Sequence, residues 1–213
     1  MRTKGRQTIF GAGLILVALS VTGCATMSKD ECLTVDWRTI GYEDGSAGYS
    51  GDRIGQHRKA CAKHGVSPDL ALYQAGRDAG VREYCVPANG FRLGAHGGTY
   101  NGLCPAELDR AFVSAYESGR QLHTLQSRVS SAAYKVDAKR STLESVEDEI
   151  ATRSAVVVSS ESTGEERAQA VLDVKQLAEK AGRLKAEIRQ LEKDKVRYEH
   201  ELEDYRAAVA FGT

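Results

Sequence analysis

A chain of 213 residues with 29 basic against 29 acidic side chains has room for one ordinary domain plus an extension, and its charges cancel. That balance argues against bulk nucleic-acid binding, which needs surplus Lys and Arg to neutralise phosphates. Only three prolines and a charged, Ala-rich second half point to helix, while most of the 21 glycines fall before residue 120, where the chain changes character.

The first 24 residues read as an address. Arg2, Lys4 and Arg6 form a positive start, the run from Ile9 to Ser20 is apolar, and Val21-Thr22-Gly23-Cys24 closes it with small residues before a cysteine. This resembles the lipobox of bacterial lipoproteins. The resemblance implies that residues 1–23 are a signal peptide, that the Cys24 thiol is lipidated and that the new amino end is acylated. The apolar run is short for a ~30 Å hydrocarbon core. Acyl chains hold instead, at about 0.8 kcal/mol per buried CH₂. Ala25 rather than Asp after the cysteine favours, by analogy with lipoproteins of two-membrane bacteria, the outer membrane with the protein facing the periplasm. Residues 24–31 are then a lipidated linker.

Without Cys24, the cysteines are Cys32, Cys61, Cys85 and Cys104, an even set in an exported chain, for which two disulfides are the expectation. A zinc site is the rival, but no CxxC or HxxxH pair gives its short ligand spacing, so no metal is assigned. Three pairings are open, and the shorter, sequential loops favour Cys32 with Cys61 and Cys85 with Cys104.

Residues 32–120 form a Gly/Cys-rich domain in which small residues recur four apart: Gly41 with Gly45, Gly76 with Gly80, Gly94 with Gly98 and Ala115 with Gly119. On a helix such positions share a face and let another backbone approach. The flanking charges make the segments too polar to span a membrane, so packing inside a compact domain is expected. A phosphate-cradling loop would need the GxxxxGK[ST] form, which none has. Asp36 is expected to cap a helix through Gly45, Asp52 one ending near His64-Gly65, and Ser67-Pro68 one running to Tyr84. The glycines between Pro87 and Gly102 predict loop with a turn or two, and Pro105 starts the next helix.

The set Cys32, Asp36-Trp37, Gly41, Asp44-Gly45, Gly48, Cys61, Tyr73, Gly76-Arg77, Gly80, Tyr84-Cys85, Gly90, Gly94, Gly98, Tyr100, Cys104-Pro105, Phe112, Tyr116 and Gly119-Arg120 resembles a family of small bacterial lipoproteins known only as a domain of unknown function. The resemblance covers about residues 30–120 and implies no reaction.

Residues 121–211 read as an antiparallel coiled-coil hairpin with its turn near residues 159–165. Leu122, Val129, Val136, Leu143, Ile150 and Val157 hold one heptad core position of the first arm, with Leu125, Ala132 and Val146 at the other and Lys139 and Arg153 as interruptions. The second arm sets Val174, Ala181, Ile188, Leu202 and Val209 beside Ala170, Leu177, Leu184, Leu191, Tyr198 and Tyr205, interrupted by Lys195. Thr163 and Glu166 make a capping box. Laying Val157 on Ala170 and Leu125 on Leu202 also pairs Arg128 with Glu201, Lys135 with Asp194, Arg140 with Glu192, Glu147 with Lys185 and Glu149 with Lys180, every pair opposite in sign. The expected fold class is therefore mainly α: a small disulfide-linked Gly-rich helical domain followed by the hairpin.

For chemistry, His57, His64 and His96 with Asp36, Asp44, Asp52 and Asp78 supply groups on paper, but no spacing fixes their geometry. His64-Gly65 reads as a helix end. No serine or cysteine nucleophile sits in a recognisable elbow, so no catalytic residue and no cofactor is assigned. Trp37, Tyr73, Phe91, Tyr100, Phe112 and Tyr116 are core candidates, and Gly76-Arg77 and Gly119-Arg120 offer carboxylate or phosphate contacts.

The leading expectation is a non-enzymatic, membrane-anchored envelope lipoprotein whose hairpin reaches a protein partner through its tip, Ser159, Ser160, Glu161 and Ser162. The alternative is a ligand-binding module for cell-wall fragments or lipid headgroups in the Gly-rich domain. Val171, Ala178 and Val196, off the main seam, leave a homodimer of hairpins open.

Overall fold

The computed structural model describes residues 27–210, and all of its regular structure is helical. Cys24, the signal segment and residue 211 lie outside the described residues. Among the described residues seven helices follow in order: α1 (Lys29–Thr34), α2 (Trp37–Ser46), α3 (Arg53–Ala62), α4 (Leu70–Tyr84), α5 (Pro87–Ala95), α6 (Ala106–Val158) and α7 (Gly164–Ala210). The expectation of a small disulfide-linked helical domain with a long helical region folding back on itself is borne out.

Local chemistry explains most boundaries. Asp36 accepts from the Arg38 amide at 3.1 Å and from the Thr39 hydroxyl, satisfying donors that the first turn of α2 leaves free, and these bonds hold its carboxyl below the usual range. Ser28 and Glu31 form a reciprocal capping box on α1, and Met27 just before them is buried, so the end of the stretch read as linker is already packed. Three expectations are corrected. Asp52 precedes α3 but its side chain makes no capping bond. The cap of α4 is Asp69, which accepts from the Leu72 amide, rather than Ser67. The stretch read as loop after Pro87 forms α5, with the proline at its first position, where its missing N–H costs nothing.

The glycines of α5 lower its intrinsic propensity, but they are what lets it form against α6. A Cβ on Gly94 would lie 2.1 Å from the Tyr116 carbonyl oxygen, and one on Gly90 2.4 Å from that of Phe112. The partner of Gly94 in this face is thus Gly90, not Gly98, which lies beyond the helix end. The same arrangement holds α2 on α4: Gly45 faces the Arg77 carbonyl at 2.4 Å and Gly80 the Tyr42 carbonyl at 2.1 Å. In both pairs the helices run parallel, backbone against backbone.

The two pairs are copies of one design. Gly41, Gly45 and Gly48 of the first match Gly90, Gly94 and Gly97 of the second, and Gly80 matches Gly119; all but Gly48 and Gly97 meet the equivalent backbone atoms. Gly48 and Gly97 both take positive φ, 77° and 73°, to leave the helix, and each is covered by a ring, Tyr84 on one and His123 on the other. Each copy has its own small core around a disulfide. Cys32–Cys61 lies among Trp37, Tyr73, Ala60 and Met27, and Cys85–Cys104 among Val81, Phe112 and Tyr100. The sequential pairing favoured by loop length is the one observed.

α6 leaves the domain without a break and returns as α7. Val146, Ala181 and Leu184 are buried in the seam with Leu143, Ile150 and Leu177 around them, and Leu125, Val136, Ala170, Ile188 and Leu202 continue it. The register is the expected one. Of the five charge pairs, Arg128–Glu201 (3.6 Å), Arg140–Glu192 (2.6 Å) and Glu147–Lys185 (2.8 Å) form. Lys135–Asp194 and Glu149–Lys180 do not close; Asp194 turns to Arg197 on its own helix. The seam interruptions have partners too, since Lys139 meets Glu187 and Arg153 meets Asp173 across the arms. Exposed pairs contribute only about 0.2 to 1 kcal/mol each, so they select register while the apolar layers hold it. The Tyr205 hydroxyl donates to the Ser118 carbonyl at 2.8 Å, tying the returning helix to the domain.

Candidate functional site

Three places concentrate features beyond what the helix scaffold needs. The first is a buried polar knot in the first copy. Asp44 of α2, 7% exposed, accepts from the Tyr73 hydroxyl of α4 at 2.8 Å and lies 2.7 Å from Nε2 of His57 on α3, itself 4% exposed. Arg53 Nε stands 3.7 Å from the other carboxylate oxygen. Burial and the bond to Asp44 raise the Tyr73 pKa, so its phenol stays a donor. The sequence offered Asp44 and His57 without a geometry; the fold brings these two together and adds Tyr73 and Arg53. His64, Asp52 and Asp78 are exposed and apart from it, Asp36 is a cap, and His96 ends α5 with Nδ1 2.7 Å from the Arg92 carbonyl oxygen.

The knot has an internal control. At the matching positions the second copy carries Leu93 for Asp44 and Phe112 for Tyr73, so the helix pair itself does not require polarity there. What the knot does is fasten α3, which is otherwise held by the Cys32–Cys61 bridge and by Ala60 and Ile54 packed into the core of Trp37 and Tyr73. Asp44→Leu should lower stability by roughly 2 kcal/mol, because it strands buried donors. Asp44→Leu/His57→Leu/Tyr73→Phe should recover part of that loss, since it removes the stranded His57 and Tyr73 donors and leaves only Arg53 without its carboxylate. Thermal unfolding of the two variants checks this; a triple variant no better than the single would show that the knot does more than fasten α3.

The second place is a cleft of about 380 Å³ between the copies, lined by Arg77, Tyr84, Tyr100 and residues of the loops that follow α2 and α5. The third is the distal end of the hairpin. Thr163 and Glu166 cap α7 reciprocally (2.7 and 3.2 Å), which holds the Glu166 carboxyl below its usual range, and Arg167 donates to the Ser162 carbonyl. The Ser159–Ser162 turn is therefore braced. Beside it, Val158 is 83% exposed and Leu172 54%. A shallow concavity of about 800 Å³ runs along this end between Ser159, Ser162 and Leu172.

Among the described residues no helix is long and apolar enough to cross a membrane, and no group of three or more His, Cys, Asp or Glu is placed to hold a metal. The fold and its sites define a duplicated, disulfide-linked helical domain bearing a helical hairpin. Residues 36–121 match the model of a family described as protein of unknown function (DUF2799). The resemblance read from Cys32 to Arg120 is borne out for the domain, and the projecting part of the hairpin lies outside the match. No curated protein and no solved structure matches the chain.

Proposed function

We propose that this protein is an envelope lipoprotein, held through Cys24 in the outer membrane, that works by binding rather than catalysis and uses its hairpin to engage a protein partner in the periplasm. The observation that carries this reading is the distal end of the hairpin: a braced turn with Val158 and Leu172 left open to solvent, about 55 Å along α6 from Leu122. Exposed apolar groups flanking the braced turn of a self-matched arm favour an interaction site over a mere spacer, although Tyr134 and Val196 are exposed further down the arm too. The Val21-to-Cys24 sequence supports the anchor, and two disulfides in so small a domain suit an oxidising compartment.

Photo-crosslinking residues placed at Ser160 and Ser162 test it in cells. The expected result is one defined adduct with another envelope protein, lost in a Val158→Asp/Leu172→Asp variant that keeps its helical circular dichroism. Adducts containing this chain alone would overturn the reading in favour of hairpin self-association through Val171, Ala178 and Val196.

A further inference from the structure

The cleft between the two copies is built unlike the knot. Arg77 is its only charged lining residue, whereas the smaller cleft over Asp44 mixes Glu31, Glu43 and Asp44 with Arg53 and His57. The Arg77 guanidinium lies along the floor, its carbon 3.9 Å from where a Cβ on Gly51 would sit. Its Nε is buried and finds no hydrogen-bond partner among the described residues, and Arg77 joins no ion pair there. Its one bond is a long one, from Nη2 to the Tyr49 carbonyl oxygen at 3.4 Å.

The second copy shows that the scaffold does not need this charge. Tyr116 occupies the position equivalent to Arg77 and makes the equivalent bond, its hydroxyl donating to the Gly98 carbonyl at 3.0 Å. A tyrosine thus satisfies the carbonyl without a cation. A guanidinium in that place leaves an N–H fork with unspent donors, the geometry that matches the two oxygens of a carboxylate or phosphate. Around it stand the rings of Tyr84 and Tyr100 and the polar side chains of Thr99 and Asn101. Gly51 and Gly102 leave the backbone open to close approach. A volume of about 380 Å³ is that of a small-molecule site.

We infer that this cleft binds a small acidic sugar, its carboxylate or phosphate on Arg77 and its ring against Tyr84 and Tyr100. The inference is independent of the hairpin and its partner. It is tested on the full chain by following the Arg77 Nε–H resonance while titrating N-acetylmuramic acid, N-acetylglucosamine 6-phosphate and neutral N-acetylglucosamine. A saturable shift with the first marks a carboxylate ligand, with the second a phosphate ligand, and with both the shared oxyanion chemistry. Arg77→Tyr installs the second copy's residue, so it should fold, and it should weaken binding of the acidic sugar at least about tenfold, the loss of one charge-assisted hydrogen bond. No saturable shift with either acid, equal binding of the neutral sugar, or undiminished binding by Arg77→Tyr would each overturn the inference. The wild-type titration decides by itself if that variant fails to fold.

Discussion

Gly80→Val is expected to cost more than about 4 kcal/mol, a large part of the ~5–15 kcal/mol that holds a domain together. The reason lies in the parallel packing of α2 on α4. A Cβ on Gly80 would lie 2.1 Å from the Tyr42 carbonyl oxygen and 2.7 Å from the Ser46 nitrogen, and neither is the end of a flexible side chain that can move aside. The helices must part along their whole contact, which also pulls Asp44 from Tyr73 and opens the core around Cys32–Cys61. Gly182→Ala is the opposite case. That glycine sits inside α7 with nothing within 4 Å of an added Cβ, so the change should stabilise by about 0.5 to 1 kcal/mol through helix propensity alone. Chemical denaturation of the two variants checks the contrast; comparable small effects would mean that the helix backbones are not in contact.

Removing both disulfides should produce an effect at least as large, and it should be confined to the domain. The bridges close loops of 29 and 19 residues, each worth about 3 kcal/mol by the chain-entropy argument. Each stands at the centre of one of two small cores, neither of which has apolar area to spare. The seam of α6 and α7 is far from both and owes them nothing. A Cys32→Ala/Cys61→Ala/Cys85→Ala/Cys104→Ala variant should therefore lose the near-ultraviolet signal of Trp37 and Tyr73 at moderate temperature while most of the helical circular dichroism survives as a second, later transition. A single transition that carries both signals would contradict this division.

The hairpin was legible residue by residue because its interactions are periodic: one heptad frame sets the seam, the turn and the register together. Even there, Asp194 chose Arg197 three residues away over Lys135 across the seam, since a neighbour on the same helix needs no particular alignment of the arms. The caps at Asp36 and Thr163 were equally local. α5 was not legible, because its glycines speak against helix by propensity, and only contact with Phe112, Tyr116 and Gly119 outweighs that. The Asp44–His57–Tyr73 knot joins residues 13 and 29 positions apart, with no spacing rule to connect them. One signal lay unused in the sequence. Aligning the glycines of α2 with those of α5, and Tyr73 with Phe112, exposes the duplication, and the positions where the copies differ, Asp44 against Leu93 and Arg77 against Tyr116, are the ones that carry the polar sites. The sequence offers Gly76-Arg77 as a carboxylate or phosphate contact on equal terms with Gly119-Arg120; the buried, unpartnered Nε that sets Arg77 apart needed coordinates.

The proposal of an anchored base presenting a distant tip meets its most direct test in Cys24→Ser carrying the photo-crosslinker at Ser160. Loss of the chain from the outer-membrane fraction, together with loss of the tip adduct, is the expected result. Unchanged fractionation and an undiminished adduct would contradict it.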